Sequence, residues 1–274
     1  MLATTAVPND LLRLTSRQHP VVQAFRQAAG DPAHAAAVLL DGPHLLAEAL
    51  AAGVRVTTLL VDSDFLAGAA RVDRAAIDRA AAAGAIVHHA TASVIAAASP
   101  VRTSSGIVAL AEWAPAPVAA ACQSSRAFVI ALVDVQDPGN VGAAIRSADA
   151  LGGTGVVAVN ATAHPGNWKA LRGAMGSTFR LPVARAPHTL LMAEARRAGL
   201  HVLATVAQAA PPADRVDLTR PTLVLLGNEG GGLLDAIAAD ADARVTIPMR
   251  QGVSSLNVAA TAALLLYEAR RQRT

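Results

Sequence analysis

The segment 134–146 carries the first side chains whose types and spacing could do chemistry. It follows the apolar run 128–133, which has the length and composition of a buried strand, and it leads into a helix. Asn140 is a residue that can cap this helix, and Gly142 permits close approach of another backbone. With Asn140 at the cap, Arg146 can border the same cleft. A capped helix with a surface arginine is the alternative.

The segment 225–233 is a glycine-rich turn between a strand and a helix. Its glycines, from Gly227 onward, allow the main chain to offer N–H groups and carbonyls to a ligand. The spacing matches neither the dinucleotide fingerprint nor the P-loop, which disfavours an NAD or triphosphate site. Beside Asn228, the carboxylate of Glu229 would repel phosphate and favours a cationic or hydrogen-bonding ligand. A purely structural turn is the alternative.

The segment 247–258 leads into a helix that we expect to run to about Arg270. Ser254 and Ser255 are good helix caps, and we expect Asn257 in the first turn with its amide facing a ligand. Polar groups at an otherwise apolar helix entry are costly if they are buried without partners. Capping alone would explain one serine but not Asn257.

These turns belong to an alternation of apolar strands and helices that fills the second half of the chain. Such continuous apolar strands predict a parallel sheet covered on both faces, with ligands bound beyond the carboxyl ends of the strands. The predicted strands are 127–133, 155–159, 181–184, 201–204, 222–226 and 243–247, and the predicted helices are 141–151, 168–173, 189–198, 233–239 and 255–270.

The first half predicts a smaller α/β unit. Its expected strands are 37–40, 54–61, 86–89 and 106–111, and its expected helices are 16–29, 43–50, 72–83 and 93–98. Residues 113–125 include Pro115 and Pro117 and break the periodicity. We therefore predict a first domain over 1–114, a linker over 115–125 and a second domain over 126–274.

Composition narrows the class of protein. With 53% hydrophobic and 16% charged residues in a chain of 274, the composition favours a globular protein over a disordered chain or a coiled coil. No apolar run approaches the ~18 residues of a membrane span. The single cysteine, Cys122, excludes an internal disulfide and a cysteine metal cluster. Because no secretory signal is visible at the N-terminus, we expect a cytoplasmic protein.

The net charge of +3 is unevenly distributed. Residues 123–274 hold fifteen Lys and Arg against eleven Asp and Glu, whereas residues 1–122 hold eight Arg against nine acidic residues. A basic second half would attract a polyanion. A solvated surface of mixed charge is the alternative.

Taken together, the three segments resemble the motif set of the SpoU/TrmH-like 2′-O-ribose methyltransferases, within the SPOUT class of RNA methyltransferases. A further stretch, 167–183, is similar to the segment between the first two motifs of that family. More loosely, the stretch from Asp41 to Leu50 resembles the small domain that precedes the catalytic domain in rRNA-modifying members. The matching patterns are Asn140-x-Gly142-x-x-x-Arg146, Gly227-Asn-Glu-Gly-x-Gly-Leu233 and Ile247-Pro-Met-x-x-Gly-x-x-Ser255-Leu-Asn257-Val, in that order.

The resemblance implies an α/β fold in which a C-terminal, trefoil-knotted SPOUT methyltransferase domain follows a small α/β substrate-binding domain. True knots are very rare, so periodicity alone could not have predicted one. The implied methyl donor is S-adenosyl-L-methionine, and no metal is implied. The expected donor-binding residues, which act mainly through their main chain, are Gly227, Asn228, Ile247, Met249 and Leu256.

The resemblance also assigns the activation of the ribose 2′-hydroxyl to Arg146. A guanidinium is a cation in proteins and therefore a poor free base, so we expect Arg146 to bind the adjoining phosphate and to stabilise the developing alkoxide. The residues expected to orient Arg146, the ribose and the donor are Asn140, Glu229, Ser255 and Asn257.

The expected partner is RNA, and the additional N-terminal domain favours rRNA over tRNA. Aromatic residues are scarce, at 3% of the chain, so we expect recognition of RNA shape and phosphates rather than stacked bases. The family also implies a homodimer. A tRNA methyltransferase and a non-catalytic RNA-binding protein on the same fold are the alternatives, and a nucleotide-dependent oxidoreductase is disfavoured. Candidate RNA contacts in the first domain are Arg13, Arg17, Arg55 and Arg102.

Overall fold

The computed structural model describes residues 13–30, 32, 37–68, 70–228 and 230–274. Contacts within the chain divide it into two compact units, Met1–Trp113 and Ala114–Thr274. None of the described helices combines the length and the apolar character that crossing a bilayer requires.

The first unit is a mixed four-stranded sheet with helices, as the sequence predicts for this half. Its strand order is β1-β4-β2-β3, in which β2 and β3 are parallel and the other two pairs are antiparallel. The strands are β1 (Val38–Asp41), β2 (Val56–Asp62), β3 (Ile86–Ala90) and β4 (Ile107–Ala111), and the helices are α1 (Pro20–Gly30), α2 (Pro43–Ala51), α3 (Ser63–Gly68), α4 (Arg71–Ala82) and α5 (Ala92–Ala98).

Two features of this unit differ from the prediction. Helix α1 begins at Pro20 rather than at residue 16, because proline is favoured at the first position of a helix. The short helix α3 follows β2 directly, where the Asp62 carboxylate accepts a hydrogen bond from the main-chain N–H of Asp64 at 3.1 Å. A one-turn helix of this kind leaves too few residues for a periodic pattern to be read.

The second unit contains the predicted parallel sheet. Its strand order is β10-β8-β9-β5-β6-β7, and every neighbouring pair is parallel. The strands are β5 (Phe128–Val133), β6 (Gly155–Val159), β7 (Val183–Ala186), β8 (His201–Thr205), β9 (Thr222–Leu226) and β10 (Ala243–Val245), and the helices are α6 (Val118–Cys122), α7 (Pro138–Leu151), α8 (Trp168–Ala174), α9 (His188–Arg197), α10 (Asp235–Ala239) and α11 (Val258–Arg273).

Helices cover both faces of this sheet. Alternate residues of β5, namely Val129, Ala131 and Val133, share one buried cluster with residues of α6 and α9. Helix α7 packs on α8 and α11, and none of the three contributes to that cluster. The strands are therefore buried on both sides, which explains why they are continuously apolar rather than alternating.

The predicted linker over 115–125 is wrong in its central part, which forms helix α6. The side chains of Val118, Ala121 and Cys122 are buried in the core of the second unit. A Cβ atom added to Gly155 of β6 would lie 2.6 Å from the Cβ of Ala121, so the helix and the strand are in close contact. Pro117 directly precedes α6, a position at which proline does not interrupt a helix. The buried positions have helical spacing, but over one turn only.

The end of α11 is fastened to the rest of the unit by Arg273. Its guanidinium donates hydrogen bonds to the carbonyl oxygens of Arg126, Leu218 and Arg220, each at 2.7 Å, and lies 5.0 Å from the centre of the Phe128 ring. Burial lowers the pKa of this guanidinium, while the hydrogen bonds to carbonyl oxygens stabilise its positive charge. The anchoring at this end holds the helix whose other end reaches the candidate site.

Candidate active site

A pocket opens beyond the carboxyl ends of β8, β9 and β10. The space between its lining residues, counted with its open mouth, is about 660 Å³. Sites for small molecules commonly measure ~300–1,000 Å³. The second and third sequence segments both contribute to the lining, which comprises Thr205, Val206, Ala207, Leu226, Gly227, Asn228, Gly232, Val245, Thr246, Ile247, Met249, Ser255, Leu256, Val258, Thr261 and Leu265.

The second segment forms a compact turn at the pocket. The Asn228 side-chain oxygen accepts hydrogen bonds from the N–H groups of Gly230 at 3.0 Å and Gly231 at 2.6 Å. A Cβ atom at Gly227 would lie 2.1 Å from the carbonyl carbon of Gly232, so the turn can close only around a glycine at this position. Glu229, which the sequence singles out, lies outside the described residues.

The third segment provides an apolar wall and unused main-chain groups. Ile247, Met249 and Leu256 line the pocket, are half-buried and lie outside helices and strands. Within the described part of the chain, their main-chain groups make no hydrogen bonds. A polar, planar ligand can therefore find both apolar contact and hydrogen-bonding partners here.

Asn257 is the cap of α11, which corrects the expectation that Ser255 caps the helix and that Asn257 lies in its first turn. The Asn257 side-chain oxygen accepts hydrogen bonds from the N–H groups of Ala259 at 2.9 Å and Ala260 at 3.2 Å. Helix α11 therefore begins at Val258 rather than at residue 255. Ser255 lies before the helix, outside helices and strands, and lines the pocket.

Asn140 and Asn257 join the first sequence segment to the third. The Asn257 side-chain N–H donates to the side-chain oxygen of Asn140 at 2.9 Å. Asn140 is not the cap of α7 as the sequence suggested. Asp137 caps that helix by accepting a hydrogen bond from the Gly139 N–H at 2.8 Å. The side chain of Asn140 is thus released from capping and points to α11.

Arg146 does not line the pocket. It is exposed on α7, about 120° around the helix axis from Asn140, because six residues correspond to about 600° of rotation. It lies on the side of α7 that carries Gly142, against which α8 packs. A Cβ atom on Gly142 would lie 2.2 Å from the carbonyl oxygen of Ala170 in α8, so Gly142 does permit close approach of another backbone, as the sequence suggested.

The structure thus brings together most, but not all, of the predicted site residues. All five predicted donor-binding residues and Ser255 line one pocket, and Asn140 and Asn257 meet beside it. Sequence reasoning missed the wall formed by Thr205, Val206 and Ala207. These residues follow a predicted strand, so the rule that ligands bind beyond the carboxyl ends of parallel strands could have found them.

The four candidate RNA contacts of the first unit, Arg13, Arg17, Arg55 and Arg102, are all exposed. Arg55 forms an ion pair with Glu112, and its charge is therefore already matched within the protein.

Comparison with known proteins agrees with this geometry. The model of the SpoU rRNA Methylase family matches residues 127–267. A Synechocystis protein named as an uncharacterized tRNA/rRNA methyltransferase is 31% identical over 272 residues, which cover 97% of this chain and 96% of that protein. The 23S rRNA (uridine(2479)-2′-O)-methyltransferase of Streptomyces viridochromogenes is 42% identical over 142 residues, which span half of each protein.

A solved structure extends the similarity to the fold of nearly the whole chain. The AdoMet-bound rRNA methyltransferase from Sinorhizobium meliloti is 29% identical, has a TM-score of 0.84, and is matched over 94% of this chain and 97% of its own. The strand order, the pocket at the strand ends and the family match all lead to the same assignment. The chain belongs to the SpoU rRNA Methylase family.

Proposed function

We propose that this protein transfers a methyl group from S-adenosyl-L-methionine to a ribose 2′-hydroxyl of RNA, with rRNA as the substrate. The observation that carries this proposal is the convergence of the three sequence segments. Two of them line one pocket, and the Asn257–Asn140 hydrogen bond of 2.9 Å joins the first segment to the third. The 2′-O-methylation named for the Streptomyces relative supports the same reaction.

The pocket has the features that a donor with an adenine ring and a charged amino-acid part requires. The side chains of Ile247, Met249 and Leu256 offer apolar contact for the adenine ring. Unused main-chain N–H and C=O groups in the same stretch can bind its polar edge, and the tight turn at Gly227 brings Gly232 into the pocket lining. When bound, S-adenosyl-L-methionine supplies a sulfonium methyl group to the attacking oxygen.

On the RNA side, we assign binding and orientation to Asn140, Ser255 and Asn257. The two asparagines restrain each other, which fixes the positions of both side chains beside the pocket. Arg146 is exposed and makes no ion pair within the described residues. It is therefore available for an RNA phosphate, and its charge stabilises the hydroxyl oxygen as the proton leaves to solvent. Glu229 completes the proposed set.

The first unit is proposed to bind the rRNA and the second to carry the chemistry. The exposed Arg13, Arg17 and Arg102 suit phosphate contacts in the first unit. A homodimer and a location in the cytoplasm belong to the same proposal, since both follow from the family and from an rRNA substrate.

Two measurements test the function. Isothermal titration calorimetry should detect binding of S-adenosyl-L-methionine, and Leu256→Asp should abolish it by placing a charge in the apolar wall. Incubation of rRNA with the protein and the donor should add one methyl group to a ribose, located by mass spectrometry of nuclease fragments. Absence of donor binding would favour a non-catalytic RNA-binding protein, and methylation of tRNA but not rRNA would correct the substrate.

A further inference from the structure

A stretch without acidic residues lies next to the proposed site. Between Asp149 and Glu194 the sequence contains no aspartate or glutamate but does contain Lys169 and Arg172, both on α8. Both residues are exposed. Neither forms an ion pair with any carboxylate of the described chain. Helix α8 therefore carries positive charge that the described part of the protein does not neutralise.

Helix α8, which carries this charge, packs closely against α7, the helix of Arg146. A Cβ atom on Gly173 of α8 would lie 3.2 Å from the carbonyl oxygen of Gly139 in α7. A Cβ atom on Gly142 of α7 would lie only 2.2 Å from the carbonyl oxygen of Ala170 in α8. Arg146 lies one turn beyond Gly142 on the same side of α7, since residues four apart share a face. Arg146, Lys169 and Arg172 therefore lie on two helices that touch, and we call these three residues the α7–α8 basic surface.

Structural roles explain these cations only in part. Arg172 lies in the last turn of α8, where a cation interacts favourably with the helix dipole. The Lys169 ammonium lies 5.5 Å from the centre of the Trp168 ring. Exposed interactions of both kinds are worth only about 0.5–1 kcal/mol. In contrast, Arg180 on the neighbouring segment is already paired with Asp149 at 2.8 Å.

We propose that Lys169 and Arg172 bind the phosphates that flank the target nucleotide and so align the RNA strand along α8 towards Arg146. The proposal rests on the proposed function, because it takes RNA as the occupant of this surface. RNA suits the surface because its backbone carries closely spaced negative charges, and arginine and lysine are the usual partners of phosphate. Lys169 and Arg172 act as positioning residues, not as catalytic ones.

The test compares the salt dependence of RNA binding in the full-length protein and its variants. The probe is a short RNA hairpin of mixed sequence, titrated at several salt concentrations from ~50 to ~200 mM. Each lost phosphate contact should reduce the slope of log K against log salt by about 0.7–0.9, so Lys169→Gln with Arg172→Gln should reduce it by about 1.5. Arg172→Lys should retain the slope, because the charge is kept.

Arg196→Gln is the matched control. Arg196 is also an exposed cation in the last turn of a helix, but its helix, α9, packs on the face of the sheet opposite to α8. This variant should bind RNA with the unchanged slope. In methylation assays the Lys169 and Arg172 variants should raise the KM for RNA and leave kcat and the affinity for S-adenosyl-L-methionine within about twofold.

The outcomes separate this proposal from the proposed function. If the double variant binds the hairpin with the slope of the unsubstituted protein, or if Arg196→Gln lowers the slope equally, the α7–α8 basic surface does not bind phosphate, whereas the methyltransferase assignment is untouched. If the unsubstituted protein binds no donor and methylates no RNA, the proposed function fails. Even if the proposed function fails, a smaller slope of log K against log salt in the Lys169 and Arg172 variants would show that these residues contact RNA phosphates.

Discussion

A single asparagine, Asn257, does two things at once. Its side-chain oxygen caps α11, while its side-chain N–H donates to Asn140, 117 positions earlier in the chain. Serine or aspartate could accept the capping hydrogen bonds, but the amide also offers two N–H donors. The residue type is therefore explained by the combination of cap and link, and not by the cap alone.

Asn257→Ala and Asn140→Ala should separate these two roles. Loss of the cap should make Asn257→Ala less stable by about 1 kcal/mol, or about 2–4 °C in Tm, whereas Asn140→Ala leaves the cap intact and should cost about 0.5 kcal/mol. Both variants should reduce RNA methylation at least about tenfold, because both lose the link. Thermal unfolding and the rate of methyl transfer are the measurements.

The double variant of the two asparagines provides the check on coupling. If the residues act as a pair, the double variant should methylate RNA no more slowly than the slower single variant. Losses of activity that simply multiply would show that the two side chains act independently, and would remove the hydrogen bond between them from the mechanism.

Among the elements, the contact between α7 and α8 depends on two glycines. Gly142 and Gly173 face each other across it, and the contact at Gly142 involves the main chain of α8 rather than a flexible side chain. This packing sets the position of α7, and with it the positions of Asn140 and Arg146. Two small residues thus determine where the polar residues of the first segment lie.

Gly142→Ala should therefore destabilise the second unit. Alanine gains up to ~1 kcal/mol in helix propensity, but its Cβ would lie 2.2 Å from the carbonyl oxygen of Ala170, and overpacking costs ~1–3 kcal/mol or more where backbone must move. We expect a net loss of about 1–2 kcal/mol, seen as a lower midpoint in urea.

The control for this substitution is Gly230→Ala in the same unit. A Cβ atom at Gly230 would meet its nearest neighbour, the Asn228 side-chain oxygen, at 3.8 Å, which is an ordinary contact. This variant should unfold at the same urea concentration as the unsubstituted protein. Equal midpoints for the Gly142 and Gly230 variants would mean that α8 can move away without cost.

At the scale of the whole molecule, α6 belongs to the second unit. The unit begins at Ala114, and three α6 side chains complete its core. A fragment comprising residues 114–274 should therefore fold and bind S-adenosyl-L-methionine. A fragment comprising 126–274 lacks α6, exposes one face of the sheet and should be less stable by about 3–5 kcal/mol.

Chemical denaturation of the two fragments, together with calorimetry of donor binding, makes the comparison. RNA affinity should be weaker in both fragments than in the full chain, because both lack the first unit. Equal stability of the two fragments would show that burial of α6 does not stabilise the second unit. Residues 115–125 would then behave energetically as the predicted linker.

Local patterns were sufficient to predict most of the elements. The strands 155–159 and 222–226 have the predicted bounds, and the parallel sheet follows from their continuous apolar character. The proposed donor-binding residues could be expected at one edge of the sheet because Gly227, Asn228, Ile247 and Met249 follow the carboxyl ends of parallel strands. The predictions at α1, α6 and α11 failed where a cap or a single helical turn decides the outcome. Smaller shifts of two or three residues occur at the bounds of α7, β7, α10 and β10.

The amino-acid sequence by itself determined the order of strands and helices and the family to which the chain belongs, because periodicity and motif spacing are properties of consecutive residues. Only the tertiary structure decided that Asn257 caps α11 and binds Asn140, that α6 enters the core, and that Arg146 lies on the side of α7 facing α8. Each of these depends on contacts between residues distant in the chain, and those contacts exist only once the helices have packed on the sheet.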